Sequence, residues 1–207
     1  MNLKECFSSL TMQTVMLLQI QDLTEYYQEK RRWMVENMEY SSIPIFSGRK
    51  ICENEKKSFE LVEMKSPEEM VQFWTCQSDA FSGVPQISDN LKEIIRNDTS
   101  TVAPDSSVKS FTVGIKQKLS NGQVEIVACG KLVMGKHVAS INHLATRDGH
   151  RNQGFATILM VSMIDMAKQL GYTKMVLEAT EMGIGIYEKF GFKPVYDFYI
   201  FELDHKH

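Results

Sequence analysis

One stretch of the sequence governs how the rest is interpreted, Arg151-Asn152-Gln153-Gly154-Phe155-Ala156. A predicted strand ends shortly before it, and an amphipathic helix is predicted from about 154 to 170, so the stretch is a loop that turns directly into a helix. The first N–H groups of a helix have no partner within it and carry the positive end of its dipole, so they can bind an anion such as a pyrophosphate. Gly154 and Ala156 keep the backbone accessible, and the guanidinium of Arg151 adds positive charge. The loop therefore predicts a phosphate-binding site, the alternative being an ordinary loop before a helix.

Strand and helix signals alternate on both sides of this loop. Strands are predicted over 59–64, 110–119, 124–134, 137–146, 174–180 and 195–203, and helices from 67, after 88, over 154–170 and through 187–190. Ser66-Pro67-Glu68-Glu69 is a capping box with proline at the first helical position, and Asn121-Gly122 is a hairpin signal. These elements predict an α/β fold, in which residues 110–146 form an antiparallel meander within a mixed sheet that has helices on both faces.

The first quarter of the chain differs from the rest. Residues 10–38 are dense in helix-forming side chains, and the partly apolar run 11–20 is predicted to be an amphipathic helix too short to span a bilayer. The polar stretch 48–57 predicts a linker. We therefore predict a helical extension and linker over 1–56 and one larger domain over 57–204.

Net charge and cysteine spacing argue against several classes of protein. The net charge of −3 lacks the basic excess typical of nucleic-acid-binding domains, so no nucleic-acid partner is expected. The four cysteines Cys6, Cys52, Cys76 and Cys129 show no C-x-x-C spacing, so neither a disulfide framework nor a zinc site is expected. Reduced thiols are typical of cytoplasmic proteins, and no membrane segment is predicted.

Two motifs resemble one known superfamily. The pattern R-x-x-G-x-A over 151–156, placed between a strand and a long helix, resembles the acetyl-CoA loop of the GNAT superfamily of N-acetyltransferases. Downstream, Ile186-Tyr187-Glu188-Lys189-Phe190-Gly191-Phe192 is similar to the Y-x-K-x-G-F sequence that its members often carry. The resemblance covers roughly 58–203 and is most specific from Asn142 onward. It implies the GNAT-type mixed, mostly antiparallel sheet flanked by helices, and acetyl-CoA as the co-substrate.

The resemblance also implies how the cofactor is bound. In GNAT enzymes the strand before the loop pairs its backbone with the pantetheine arm, the loop N–H groups hold the pyrophosphate, and the sheet opens nearby to admit the thioester. Thr180 lies where many members carry an asparagine that contacts CoA; its hydroxyl can take that role or cap the next helix. The cofactor-binding residues implied in this way are Leu144, Ala145, Thr146, Arg151, Asn152, Gln153, Gly154, Phe155, Ala156 and Thr180.

The resemblance implies a catalytic role for Tyr187. Tyr187 matches the family tyrosine that often protonates the departing CoA thiolate, although in some members such a tyrosine only binds the cofactor. Many members carry a glutamate as general base on the strand before the loop, but residues 139–144 contain no carboxylate. His143 has a suitable ordinary pKa, and Asn142 or Ser140 could instead hold a water. Strict alternation places Asn142 and His143 on opposite faces unless a bulge intervenes.

The predicted function is transfer of an acetyl group from acetyl-CoA to a primary amine, by direct attack in a ternary complex without an acyl-enzyme. The acceptor is expected to be a small-molecule or peptide amine, and a homodimer is the assembly that the resemblance suggests. One alternative is a catalytically silent GNAT-like module that binds CoA, which the missing carboxylate favours. Another is a protein-interaction module in which residues 1–56 dock a partner; we expect instead that this segment packs near the acceptor side.

Overall fold

The computed structural model describes residues 7–38, 50–54, 57–97, 108–119 and 122–203 of the 207-residue chain. Its strands are β1 (Phe7–Gln19), β2 (Lys50–Asn54), β3 (Lys57–Glu63), β4 (Lys109–Lys118), β5 (Val124–Met134), β6 (Ala139–Thr146), β7 (Lys174–Thr180) and β8 (Lys193–Leu203). Its α-helices are α1 (Glu25–Asn37), α2 (Pro67–Ser82), α3 (Asp89–Asn97), α4 (Phe155–Gln169) and α5 (Glu181–Phe190). None of the helices in these ranges is long and apolar enough to cross a membrane.

The strands of the described residues form one eight-stranded sheet in the order β2-β3-β4-β5-β6-β7-β1-β8. Neighbouring strands are antiparallel except β6 and β7, which are parallel. One face is covered by α2, and the other by α1, α4 and α5, each over its own set of buried apolar side chains. The predicted mixed, mostly antiparallel sheet with helices on both faces is confirmed, and so is the meander of β4, β5 and β6.

The helix predicted over 11–20 is wrong, because these residues belong to β1. Thr14, Met16 and Leu18 are buried while the residues between them are half-buried, which is the two-residue period of a strand. β1 is hydrogen-bonded on both edges, to β7 and to β8. This long-range pairing overrides the local helical preference. β1 therefore belongs to the same sheet as the strands of the predicted 57–204 domain.

The predicted linker over 48–57 is also wrong where the structure describes it. Residues 50–54 form β2, which pairs with β3 at one edge of the sheet. Polar side chains are common on edge strands because they oppose pairing with another molecule, so a polar sequence does not exclude a strand there. The helical part of the N-terminal prediction is correct for α1, which begins after Thr24.

The local signals that the sequence shows around residues 66 and 122 are confirmed. Ser66 Oγ accepts a hydrogen bond from the backbone N–H of Glu69 at 3.2 Å, and the Glu69 carboxylate accepts one from Ser66 N at 3.0 Å, which is the capping box. Gly122 has a φ of 85° and donates its N–H to Leu119 O at 2.9 Å between β4 and β5. Its predicted turn partner Asn121 lies outside the described residues.

A buried carboxylate fastens α1 to α4. Asp165 is only 3% exposed in the middle of α4. It accepts hydrogen bonds from the hydroxyl of Tyr27 and, at 2.8 Å, from Nε of Arg31. A buried charge needs such partners to offset its lost hydration. Burial, together with the adjacent carboxylate, raises the pKa of Tyr27 well above its ordinary value, so its phenol stays protonated. These bonds hold α1 against the middle of α4.

Candidate active site

A cavity of about 880 Å³ opens where β6 and β7 separate. Residues 139–141 of β6 pair with 175–177 of β7, and the ladder ends there although both strands continue. The remainder of β7 pairs through its other edge with β1, as far as Thr180. The facing edges of β6 and β7 beyond residue 141 therefore border the cavity, with backbone groups that an extended ligand can use for hydrogen bonds.

A β-bulge lies in β6 at the mouth of this gap. Asn142 pairs with Lys131 and Ala145 with Cys129, so His143 and Leu144 together oppose Gly130 alone. His143 has a φ of 54°, and the side-chain amide of Gln77 on α2 donates a hydrogen bond to its carbonyl oxygen. A Cβ at Gly130 would approach Leu144 Cδ1 to 3.2 Å, so glycine makes room for the bulge. The bulge interrupts the alternation of β6 side chains between the two faces of the sheet, so Asn142 and His143 both line the cavity.

Aromatic rings surround one side of His143. Its imidazole centroid lies 5.4 Å from the ring of Trp74 and 6.0 Å from that of Phe73, both on α2. Partial burial, reinforced by the positive charge of Lys131, lowers the pKa of His143 below its ordinary value. The imidazole is therefore neutral at pH 7 and can accept a proton.

The loop before α4 presents backbone N–H groups to the cavity. Asn152 and Gly154 adopt left-handed conformations, with φ of 61° and 83°, and α4 starts at Phe155. No acidic residue occupies the first turn of α4. Apart from its chain neighbours, a Cβ at Gly154 would have no atom of the described residues within 4 Å, so the space before the helix is open there. This arrangement fits an anion held at a helix N-terminus.

Arg151 lies on the rim of the cavity. Its guanidinium donates a hydrogen bond to the carbonyl oxygen of Ala80 at 2.7 Å, near the C-terminal end of α2. A second nitrogen of the guanidinium, Nε, donates a longer hydrogen bond to Thr146 O at 3.5 Å. Arg151 thus ties the loop to α2, and about half of its side chain is exposed.

Tyr187 enters the cavity from α5. Its side chain is 8% exposed, and burial raises the pKa of its phenol to about 12. The hydroxyl is therefore protonated at neutral pH and can donate a hydrogen bond. Gly183 leaves space for the ring, because a Cβ there would lie 2.9 Å from Tyr187 Cε2. Thr180 precedes α5 and lines the same cavity; its side chain makes no capping hydrogen bond to the helix.

The sequence model of the Acetyltransferase (GNAT) family matches residues 89–192, which is half of the chain. The chain belongs to the GNAT acetyltransferase family. The match includes the bulged strand, the loop before α4 and Tyr187. A comparison with curated proteins finds no match.

Solved structures share the GNAT fold. A GCN5-related N-acetyltransferase from Kribbella flavida is 16% identical, with a TM-score of 0.52 over 97% of this chain and 61% of its own. A tandem GNAT protein from the clavulanic acid biosynthesis pathway is 11% identical, with a TM-score of 0.60 over 95% and 54%. A GCN5-related N-acetyltransferase-like protein from Streptococcus suis is 15% identical, with a TM-score of 0.51 over 94% and 62%. The chain thus spans less than two thirds of each of these proteins, and identities this low show the fold alone.

The structure brings most of the predicted GNAT site residues together around one cavity. The lining includes Leu144, Ala145, Thr146, Arg151, Asn152, Gly154, Phe155, Ala156, Thr180, Tyr187 and His143. Gln153 is the predicted residue that does not line it; its side chain donates to Gly149 O at 3.3 Å. Among the described residues, no group of three or more His, Cys, Asp or Glu side chains is arranged to hold a metal ion.

Several residues that line the cavity are not among those predicted from the sequence. Glu178 supplies a carboxylate from β7, one residue beyond the point where β7 stops pairing with β6. Gln13 and Tyr26 come from the N-terminal segment, and Lys189 comes from α5. The alternating pattern of β7 could have placed Glu178 on the face opposite Leu177, but only the strand order shows that β7 lies beside β6.

Proposed function

We propose that this GNAT protein transfers an acetyl group from acetyl-CoA to a primary amine, by direct attack in a ternary complex. One observation carries the proposal: the N-terminal end of α4, the bulged strand β6 and the buried phenol of Tyr187 border a single cavity of about 880 Å³. That volume lies within the range of small-molecule sites, roughly 300–1,000 Å³. Members of the GNAT family generally use acetyl-CoA.

The chain holds the cofactor by its backbone in this scheme. The N–H groups at 154–156 bind the diphosphate at the positive end of α4, while main-chain groups of 144–146 pair with the pantetheine arm in the gap between β6 and β7. When bound, acetyl-CoA supplies an acyl group activated as a thioester. The bulge at His143 and Leu144 turns backbone groups of β6 towards the thioester carbonyl, where an N–H donor stabilises developing negative charge.

Two side chains act on the amine: one attracts its ammonium form, and the other accepts its proton. An amine is mostly protonated at pH 7 and must lose a proton before it can attack. The carboxylate of Glu178 lies near the opening between β6 and β7 and attracts the ammonium form. The imidazole of His143, kept neutral by its lowered pKa, accepts the proton directly or through a water held by Asn142. Glu178 on β7 thus compensates for the absence of a carboxylate on β6.

Tyr187 donates a hydrogen bond to the leaving group, the thiolate of CoA. A phenol with a pKa of about 12 is a hydrogen-bond donor at neutral pH, and donation to the departing thiolate stabilises its negative charge. Catalysis then combines positioning of the two substrates, polarisation of the carbonyl by the backbone, and donation to the departing sulfur.

An amine panel tests the proposal. Free thiol released from acetyl-CoA is measured with small amines, amino acids and short peptides as acceptors, for the natural protein and for Tyr187→Phe. We expect amine-dependent release that falls about 10²-fold in Tyr187→Phe, while acetyl-CoA affinity changes little. Binding of acetyl-CoA without amine-dependent release would contradict transfer and would indicate the silent CoA-binding module. The class of amine, the homodimer and the cytoplasmic location stay predictions.

A further inference from the structure

An aromatic ring from α1 stands at one end of the cavity. The hydroxyl of Tyr26 lies 3.3 Å from Thr157 Oγ1, in the first turn of α4 and next to Ala156. The Tyr26 ring packs edge-on against Phe190, with 5.3 Å between ring centroids, and stays partly exposed. Tyr26 and Thr157 both line the cavity. Tyr26 therefore brings the N-terminal segment beside the turn where the diphosphate is proposed to bind.

Two ammonium groups lie beside this ring. Lys189 Nζ is 5.9 Å and Lys30 Nζ is 5.2 Å from the centroid of Tyr26. Lys30 is ion-paired with Glu29 at 2.7 Å, and of the two lysines only Lys189 lines the cavity within the described residues. The hydroxyl of Thr24 donates to the carbonyl oxygen of Lys189, which ties the start of α1 to the end of α5. We call Tyr26 and Lys189 the α1–α5 corner.

We infer that the α1–α5 corner binds the 3′-phosphorylated adenosine end of CoA, an inference that rests on the proposed function. With the acetyl group between β6 and β7 and the diphosphate on the first turn of α4, the nucleoside must continue beyond that turn. Thr157 and Tyr26 lie there. A purine has an apolar face that packs on an aromatic ring, and an ammonium attracts a phosphomonoester as a compact point charge. In the α1–α5 corner, the ring of Tyr26 packs on the adenine and the ammonium of Lys189 attracts the 3′-phosphate.

The inference predicts that the protein binds CoA more tightly than 3′-dephospho-CoA. The two ligands differ only in the 3′-phosphate, so the rest of the cavity contributes equally to both affinities. Lys189 contributes to the first ligand alone. We expect the natural protein to bind CoA about tenfold more tightly at low salt, the size of one charge-assisted contact reduced by solvent exposure.

Isothermal titration calorimetry with both ligands tests the inference. The natural protein is compared with Lys189→Met, which keeps the long apolar stem and removes the ammonium. Lys168→Met is the matched control, because Lys168 Nζ lies 5.3 Å from the ring of Tyr27, the neighbouring tyrosine of α1, and does not line the cavity. Thermal unfolding of all three proteins verifies that they are folded.

We expect the preference for CoA to fall below about twofold in Lys189→Met and to persist in Lys168→Met, since only the first ammonium faces the ligand. Equal binding of the two ligands by the natural protein would overturn the inference and leave the proposed function standing. A preference that survives in Lys189→Met, or vanishes equally in both variants, would also overturn it. Binding of neither ligand to the folded natural protein would overturn the proposed function as well.

Discussion

A carboxylate placed at the start of α4 is expected to abolish acetyl-CoA binding. Gly154 has a φ of 83°, and a Cβ built on it would meet no atom within 4 Å in the part of the chain that the structure describes, its chain neighbours aside. A Gly154→Glu side chain therefore enters the open space before the helix without colliding with the protein. That space is where the diphosphate is proposed to lie, so the variant opposes the ligand by both charge and volume.

The expected magnitude follows from two terms. A residue other than glycine in the left-handed region costs roughly 1–2 kcal/mol of stability, which lowers the unfolding temperature without touching the ligand. The new carboxylate repels each diphosphate charge by about 4 kcal/mol at 4 Å and an effective dielectric constant near 20. The two charges of the diphosphate together give about 8 kcal/mol. If relaxation of the side chain removes more than half of that total, ~3 kcal/mol remains, and affinity falls more than about 100-fold.

Gly171→Glu is the matched control for Gly154→Glu. Gly171 follows the other end of α4 and has a φ of 84°. A Cβ there would likewise meet none of the described residues within 4 Å beyond its chain neighbours. Both variants add the same charge and the same backbone strain, but only Gly154 lines the cavity. Calorimetric titration with acetyl-CoA should show that Gly171→Glu binds within about twofold of the natural protein, since its charge lies a full helix length from the ligand. Equal loss in both variants, or undiminished binding by Gly154→Glu, would refute the location of the diphosphate.

Three further predictions concern the acceptor side and stability. Because the pKa of His143 is lowered, the acidic limb of the pH–rate profile should lie below the ordinary histidine value of about 6.5, and His143→Gln should remove that limb; an unchanged limb would exclude this base. Glu178→Gln should raise the KM for the amine about tenfold and leave acetyl-CoA affinity unchanged, whereas Glu181→Gln, outside the cavity, should change neither; equal effects in both would contradict the role of Glu178. Tyr27→Phe removes a hydrogen bond to the buried Asp165 and should lower the free energy of unfolding by about 1–3 kcal/mol in urea titrations at pH 7; a smaller loss would mean that this bond does not hold α1 on α4.

Local signals predict much of the second half of the fold. The alternation of Met175, Leu177 and Ala179 predicts β7 with the bounds 174–180, which are those of the structure. The periodic apolar side chains after Gly154 predict α4, with its end at Gly171. Such elements carry their own start and stop signals, so no distant residue is needed to recognise them.

The first strand could not be predicted in the same way. The run Val15-Met16-Leu17-Leu18 satisfies both a helical and a strand period, and its surroundings favour helix. What makes it a strand is pairing with β7 and β8, which lie at the opposite end of the chain. The error extends to the site, because Gln13 and Tyr26 reach the cavity only through this placement.

The candidate site shows the same difference between local and long-range signals. The loop before α4 and Tyr187 are recognisable from short motifs because their chemistry depends on residues close together in sequence. The bulge at His143 depends on the residue across the strand, Gly130, and on Gln77 of α2. Glu178 depends on which strand lies beside β6. The sequence therefore indicates only that β6 lacks a carboxylate, whereas the cavity has one from β7.

A crystal structure of the chain with acetyl-CoA is the most direct test of where and how the cofactor is bound. We predict a diphosphate about 3 Å from the backbone N–H groups at 154–156, and a thioester in the gap between β6 and β7 within reach of the Tyr187 hydroxyl. A cofactor bound elsewhere, or one whose diphosphate lies away from the start of α4, would contradict the proposed site.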